Sequence, residues 1–214
     1  ELLSGGDLAL LREALAADPP LAASLHPGGA SLLAWAAYSR NPEAIALLRA
    51  ALPEISPHEA VILGEIDAVR GAIESGWDAN PLAPDGFTPL ALAAFFGHEA
   101  LFDLLLPLTA DLDRRAENPQ QVAALHAAIA ARSATMVEKL LRAGATPELP
   151  QAGGILPLHA AARNGDAAIT ALLLLFGASP ARTGDDGKSA IDHARDGGHG
   201  WLADRLAAAA APPR

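Results

Sequence analysis

The stretch LPLHAAARNGDAAITALLLLFGASP, residues 156–180, holds a histidine, an arginine, an aspartate and four consecutive leucines. A catalytic centre, a membrane segment and one unit of a scaffold are all open readings. A histidine beside an apolar run does not choose among them, but repetition does. TPLALAAFFGHEALFDLLLPLTADLD (88–113) and AALHAAIAARSATMVEKLLRAGATPE (123–148) carry the same pattern. Leu90, Leu125, Leu158 and Ile191 fall 35, 33 and 33 residues apart, and the loop positions Gly76, Thr109, Gly144 and Gly177 fall 33, 35 and 33 apart. Two independent columns with one period mark a repeat architecture.

Each unit reads as a pair of helices. Thr88 can cap a helix that has Pro89 at its first position, where the missing N–H is not needed. Ala91, Ala93 and Ala94 let that helix lie close to its neighbours, and Gly97 ends it in a left-handed conformation. The following helix places Leu101, Leu104 and Leu105 on one stripe. A single pair cannot bury that stripe, whereas stacked copies bury it against one another. The run of leucines in 172–175 is therefore expected in the core. Leu156 stands where the capping Thr belongs, at an expected cost of about 1 kcal/mol.

The period and the motifs DGFTPLALAA (85–94), LPLHAAARNGD (156–166) and LLRAGATPE (140–148) resemble the ankyrin-repeat family, with its signature T-P-L-H-x-A. The resemblance covers nearly the whole chain. It implies an all-α solenoid of stacked helix pairs joined by hairpin-like loops, in one domain of about seven units. Their expected bounds are 1–27 as an N-terminal cap, 28–54, 55–83, 84–116, 117–151, 152–184, and 185–214 as a C-terminal cap. Early units depart from the pattern. Arg40 replaces the mid-repeat Gly, SPHEAVILGEID (56–67) lacks the start of its first helix, and GGDLALLREAL (5–15) reads as a second helix alone.

The chain of 214 residues is 51% hydrophobic with only 4% aromatics, so its apolar content is mainly the helix formers Ala and Leu. A formal charge of −10 disfavours nucleic acid and anionic bilayers, both of which select basic surfaces. Residues 1–113 carry 16 acids against four Lys/Arg, and residues 114–214 carry nine against eleven. The absence of Cys excludes disulfides, thiolate catalysis and Cys-type zinc sites. The longest apolar run falls far short of the ~20 residues of a spanning helix. A cytoplasmic protein is expected, although the chain begins at Glu1 and an upstream segment can have been removed. The Ala-, Pro- and Arg-rich usage points to a GC-rich bacterial genome.

Candidate chemistry is sparse. His126 and His159 occupy the fourth signature position, where the resemblance implies hydrogen bonds tying adjacent loops. As ligands of one zinc they fail, because stacked helices hold equivalent points about 8–10 Å apart. TGDDGKS (183–189) lacks the first Gly of a phosphate loop, since Arg182 stands there, and Asp185 and Asp186 would repel a phosphate. Asp192, His193, Asp196 and His199 read as a solvated closing cap, with a weak metal site as the alternative. No catalytic residue, cofactor or metal ligand is assigned.

The inner surface is more informative. In ankyrin-type stacks, the resemblance implies, partners meet the hairpin tips and the last exposed residues of each first helix. Those positions here include Tyr38, Ile62, Leu63, Phe95, Phe96 and Arg163, with Phe87 and Ile155 on hairpins. Tyr38, Ile62, Phe87, Phe95 and Phe96 form an apolar strip, and a partnerless solenoid would keep such positions polar. Residues 54–113 hold eleven acids and one base, Arg70. An acidic rim around an aromatic floor suits a protein partner with basic groups around an apolar anchor. The expected function is a non-catalytic protein–protein interaction module, monomeric, without nucleic acid or membrane insertion. The alternatives are an enzyme or a ligand- or metal-binding protein using a cleft at the irregular third unit, near 64–80, and a self-associating scaffold.

Overall fold

The computed structural model describes residues 8–210. They form the α-helices α1 (Leu8–Ala17), α2 (Leu32–Tyr38), α3 (Pro42–Ala51), α4 (Pro57–Leu63), α5 (Ile66–Glu74), α6 (Pro89–Phe96), α7 (Glu99–Leu105), α8 (Ala124–Ala130), α9 (Ala134–Arg142), α10 (Pro157–Arg163), α11 (Ala167–Leu175), α12 (Ala190–Asp196) and α13 (Gly200–Ala210), joined by loops. Among them α2, α4, α6, α8, α10 and α12 pack in sequence to form an inner layer. Their partners α3, α5, α7, α9, α11 and α13 form the outer layer. No helix of the described residues is long and apolar enough to cross a membrane.

Short polar side chains set the helix starts. Ser31, Asn41, Thr88, Ser133, Asp166 and Ser189 each accept a hydrogen bond from a first-turn N–H. Helices α8 and α10 start at Ala123 and Leu156, which cannot do this, and there a histidine intervenes. His126 Nδ1 accepts from the Ala123 N–H at 3.2 Å, and its Nε2 lies 2.9 Å from the Leu149 carbonyl. His159 repeats the arrangement with the Leu156 N–H at 3.3 Å and the Arg182 carbonyl at 2.9 Å. Accepting at Nδ1 and donating at Nε2 requires the neutral ring. Each histidine ties its helix start to the chain 23 residues on.

The hairpin-like loops stack beside the inner layer and are stitched by main-chain bonds. Glu117 N–H donates to Gly86 O at 3.0 Å, Ala152 N–H to Gln120 O at 3.1 Å, and Asp185 N–H to Gly153 O at 3.3 Å. Gly86 is required for this approach: it has φ +85°, and a Cβ there would lie 2.8 Å from the Glu117 carbonyl oxygen.

The third unit differs from the expectation. Its first helix α4 is complete, with Ser56 and Glu59 forming a reciprocal capping box. What it lacks is a hairpin. Residues 52–56 alone join α3 to α4, whereas residues 75–88 join α5 to α6. The first hairpin, closed by the bridge between Leu25 and Ser31, therefore lies directly against the next one present. A Cβ at Gly29 would fall 2.0 Å from the Pro84 oxygen.

The mid-repeat turn needs a left-handed residue, and Arg40 supplies it at φ 52° despite its side chain. The leucine run is only partly core. Leu173 is fully buried, Leu172 and Leu174 are half-buried, and Leu175 is 77% exposed. Successive helical residues turn by about 100°, so four in a row on an outer-layer helix must include one that faces solvent.

Buried side chains fall into two clusters. Leu11, Leu15, Leu33 and Leu48 belong to a small N-terminal one, while residues from Ala30 to Leu206, with Phe102 the largest, form the other. Helices α4 and α5 contribute Val61, Ile62 and Val69 to the large cluster, while α2 joins the two, with Leu33 and Ala36 in the small cluster and Ala34 and Ala37 in the large one.

Three measurements check this account. Leu48→Ala, expected to cost about 2–5 kcal/mol, should lower an early unfolding step carried by α1–α3, and Phe102→Ala should lower the later one. Calorimetry showing one shared transition for both variants would contradict two separable cores. Arg40→Gly should stabilise the chain by about 1 kcal/mol by relieving the left-handed strain. Burial, opposed in part by the Leu149 carbonyl, pushes the His126 imidazole from 6.5 down to about 4, and burial also lowers His159. The unfolded chain thus binds protons that the native one refuses. The His126 contribution is fully present above pH 6.5, declines as pH falls, and is lost by about pH 4. Urea denaturation should show His126→Gln removing about 3 kcal/mol or less of this acid-side decline.

Candidate protein-binding face

The first helices and the hairpins enclose a groove of about 570 Å³ on the inner side. Its floor comes from Tyr38 on α2, Phe95 on α6 and Ala127 and Ala130 on α8; Phe87 and Asn118 close it from the hairpin side. Tyr38 is the centre of the aromatic group. Its ring centroid lies 6.3 Å from Phe87, 6.1 Å from Phe95 and 5.4 Å from Phe96. Phe95 and Phe96 meet edge to face at 5.2 Å.

A phenol inside an apolar cluster needs a polar partner, and Tyr38 finds it two units away. Its hydroxyl donates to Asp85 Oδ2 at 2.7 Å. Burial and then the adjacent Asp85 carboxylate push the phenol well above its ordinary range, so it keeps its proton. Asp85 is held in turn by the Phe87 N–H, and its own carbonyl accepts from Asn118 Nδ2 at 3.1 Å. No hairpin of the third unit stands between Tyr38 and Asp85.

Of the expected contact residues, the groove brings together Tyr38, Phe87 and Phe95, the last 44% exposed. Phe96 is half-buried behind Tyr38. Ile62 is corrected to a buried position: it is 4% exposed, because α4 is covered by its neighbours on both sides, and it lines a smaller cavity beside the groove and not the groove itself. Leu63 packs, half-buried, against the N-terminal cluster. Half-buried Ile155 and exposed Arg163 do not line the groove. Sequence reasoning missed Trp35, which lines it one turn before Tyr38 and stacks on His26 at 4.5 Å and 7°. Extending the register one helical turn inward from Tyr38 would have found it.

The acidic rim also needs correction. Among the groove-lining residues Asp85 is the one acid, and no Lys or Arg lines it. Asp67, Glu74, Glu99 and Asp103 lie on α5 and α7, in the outer layer, because second helices carry their polar face to solvent.

The remaining candidates do not converge. Asp192 holds Ser189, Asp196 pairs with Lys188 at 2.6 Å, and His193 is buried against the His159 ring at 4.7 Å. His199 lies instead over Gly165. Among the described residues no group of three or more His, Asp or Glu is placed to hold a metal. Residues 183–189 form a bridged turn in which Asp186 accepts from the Lys188 N–H. Neither this groove nor the smaller one beside it is lined by residues 64–80.

A family model for three ankyrin repeats matches residues 57–151, and a single-repeat model matches 153–185. The chain is 36% identical over 84 residues to the ARF GTPase-activating protein GIT2 of Mus musculus, covering 38% of this chain and 12% of that protein. It is 32% identical over 149 residues to a transient receptor potential cation channel subfamily A member 1 homolog of Caenorhabditis elegans, covering 68% of this chain and 12% of the channel. The similarity to human ARF GTPase-activating protein GIT1 reaches 43% over 53 residues, 25% of this chain and 7% of that one. The chain thus spans about an eighth or less of the relatives it matches. With four repeats matched across 57–185 and helix pairs stacked in the same register, the chain belongs to the ankyrin-repeat family.

Proposed function

We propose that this chain is a non-catalytic protein–protein interaction module whose inner groove receives an apolar side chain of its partner. Ankyrin repeats indicate such a module at the coarse level. The groove carries the finer reading. It exposes Phe95 beside Tyr38 and Phe87 in a concave space of about 570 Å³, where a partnerless solenoid would present polar residues. Aromatic side chains lose little conformational freedom on binding and bury much area, so they act as anchoring surfaces. The histidines that suggest chemistry in the sequence are occupied with main-chain hydrogen bonds.

The test compares partner capture by the intact chain with that of Phe95→Ala and of Leu175→Ala, a more exposed apolar site on the outer layer. Phe95→Ala should weaken partner binding by about 2 kcal/mol, chiefly through faster dissociation. Leu175→Ala should leave it unchanged. Equal affinity of Phe95→Ala and the parent chain, with the helical circular dichroism intact, would contradict the assignment.

A further inference from the structure

The hairpin that the third unit lacks leaves a second cavity. A notch of about 230 Å³ lies between the first hairpin, the short 52–56 connection, the start of α4 and the 83–85 hairpin. Ala30 and Asp85 line both this notch and the aromatic groove, so the two spaces adjoin. We propose that the notch accepts the cationic end of a lysine or arginine from the partner segment whose apolar anchor occupies the groove. This rests on the groove reading above and adds to it the chemistry of the partner.

Charge complementarity carries the proposal. Glu54, Glu59 and Asp85 line the notch, and no Lys or Arg lines either space. Among the described residues these three carboxylates have no ion-pair partner within 4.0 Å, although Arg49, paired with Glu65, acts on Glu59 through space; Glu65, Asp103, Glu138, Glu148 and Asp196 are each paired with a base. Their hydrogen bonds leave acceptor capacity. Asp85 receives the Tyr38 hydroxyl and the Phe87 N–H, and Glu59 receives the Ser56 N–H and hydroxyl. An ionised carboxylate offers about four acceptor positions, so each retains room for a donor.

The surroundings favour a cation over other occupants. An acidic segment would face uncompensated like charge, and so would the acidic 1–113 half of a second copy of this chain. A basic residue a few positions from an apolar anchor satisfies both compartments at once. It also sets direction along the groove, because the notch lies on the side of the first and second hairpins and not on that of α8.

A phage-displayed library of random decapeptides, selected on the intact chain, tests this. Selection should enrich peptides with a large apolar residue and a Lys or Arg within about four positions of it. A synthetic peptide so selected should bind the Glu54→Gln/Glu59→Gln double variant about tenfold more weakly, and its Lys→norleucine form should bind both chains alike. Gln at 59 retains the acceptor that closes the α4 capping box, so the fold is kept. Apolar anchors enriched without basic residues, or equal binding by parent and double variant, would overturn the notch while leaving the groove reading intact. Selected peptides that bind Phe95→Ala as tightly as the parent, or no selected peptide at all, would overturn both.

Discussion

The inner face of this solenoid depends on one hydrogen bond that spans a gap, from the Tyr38 hydroxyl to Asp85 at 2.7 Å. Elsewhere consecutive hairpins are stitched by main-chain bonds, each loop borrowing a carbonyl from the last. The third unit has no hairpin to take part. The first hairpin must then find its neighbour across the missing one, through the close contact of Gly29 with Pro84 and through Tyr38. A side chain carries here what the backbone carries in the other units. Placing Tyr38 for that bond also brings its ring among Phe87, Phe95 and Phe96, so structural repair and aromatic floor share a cause.

The histidines show the same economy in the regular part. Ala123 and Leu156 lack the oxygen that Thr88 offers to a first-turn N–H. His126 and His159 satisfy the N–H of those two residues and a carbonyl on the next loop with one neutral ring. His193, one position past that column in the last unit, stacks on His159 and finds no hydrogen-bond partner for either ring nitrogen, while Ser189 caps its helix in the ordinary way. Asp192, which holds the column of His126 and His159 in the last unit, accepts the Ser189 N–H in the same way, and Glu59 does so for Ser56. What the two histidines add is the reach to a carbonyl on the next loop.

Much of the fold was legible because periodicity and capping are local. Thr88, Pro89 and Gly97 take the positions their chemistry dictates, and the columns through Leu90 and Leu125 are buried as the period requires. The site was legible only in part, for reasons that are not local. Register placed Ile62 on the inner face, but its exposure depends on how closely α2 and α6 approach α4, and they cover it. The departure at 56–67 was real yet misplaced: what is absent is a hairpin ahead of Ser56, where a short connection stands, while the helix after it is whole. A count of acids could not say which helix face they occupy, and most of those on α5 and α7 face away from the groove. Trp35 escaped because only the last turn of each first helix was considered, although a groove closed by hairpins extends a turn deeper.

A double-mutant cycle on Tyr38→Phe and Asp85→Asn, read by urea unfolding, tests most directly whether this side-chain bond bridges the missing hairpin. If it does, the double variant should lose less stability than the two single variants summed, with a coupling of about 1 kcal/mol or more. Effects that add to within about 0.5 kcal/mol would show the two residues acting independently. The gap in the stack would then be closed by some other contact.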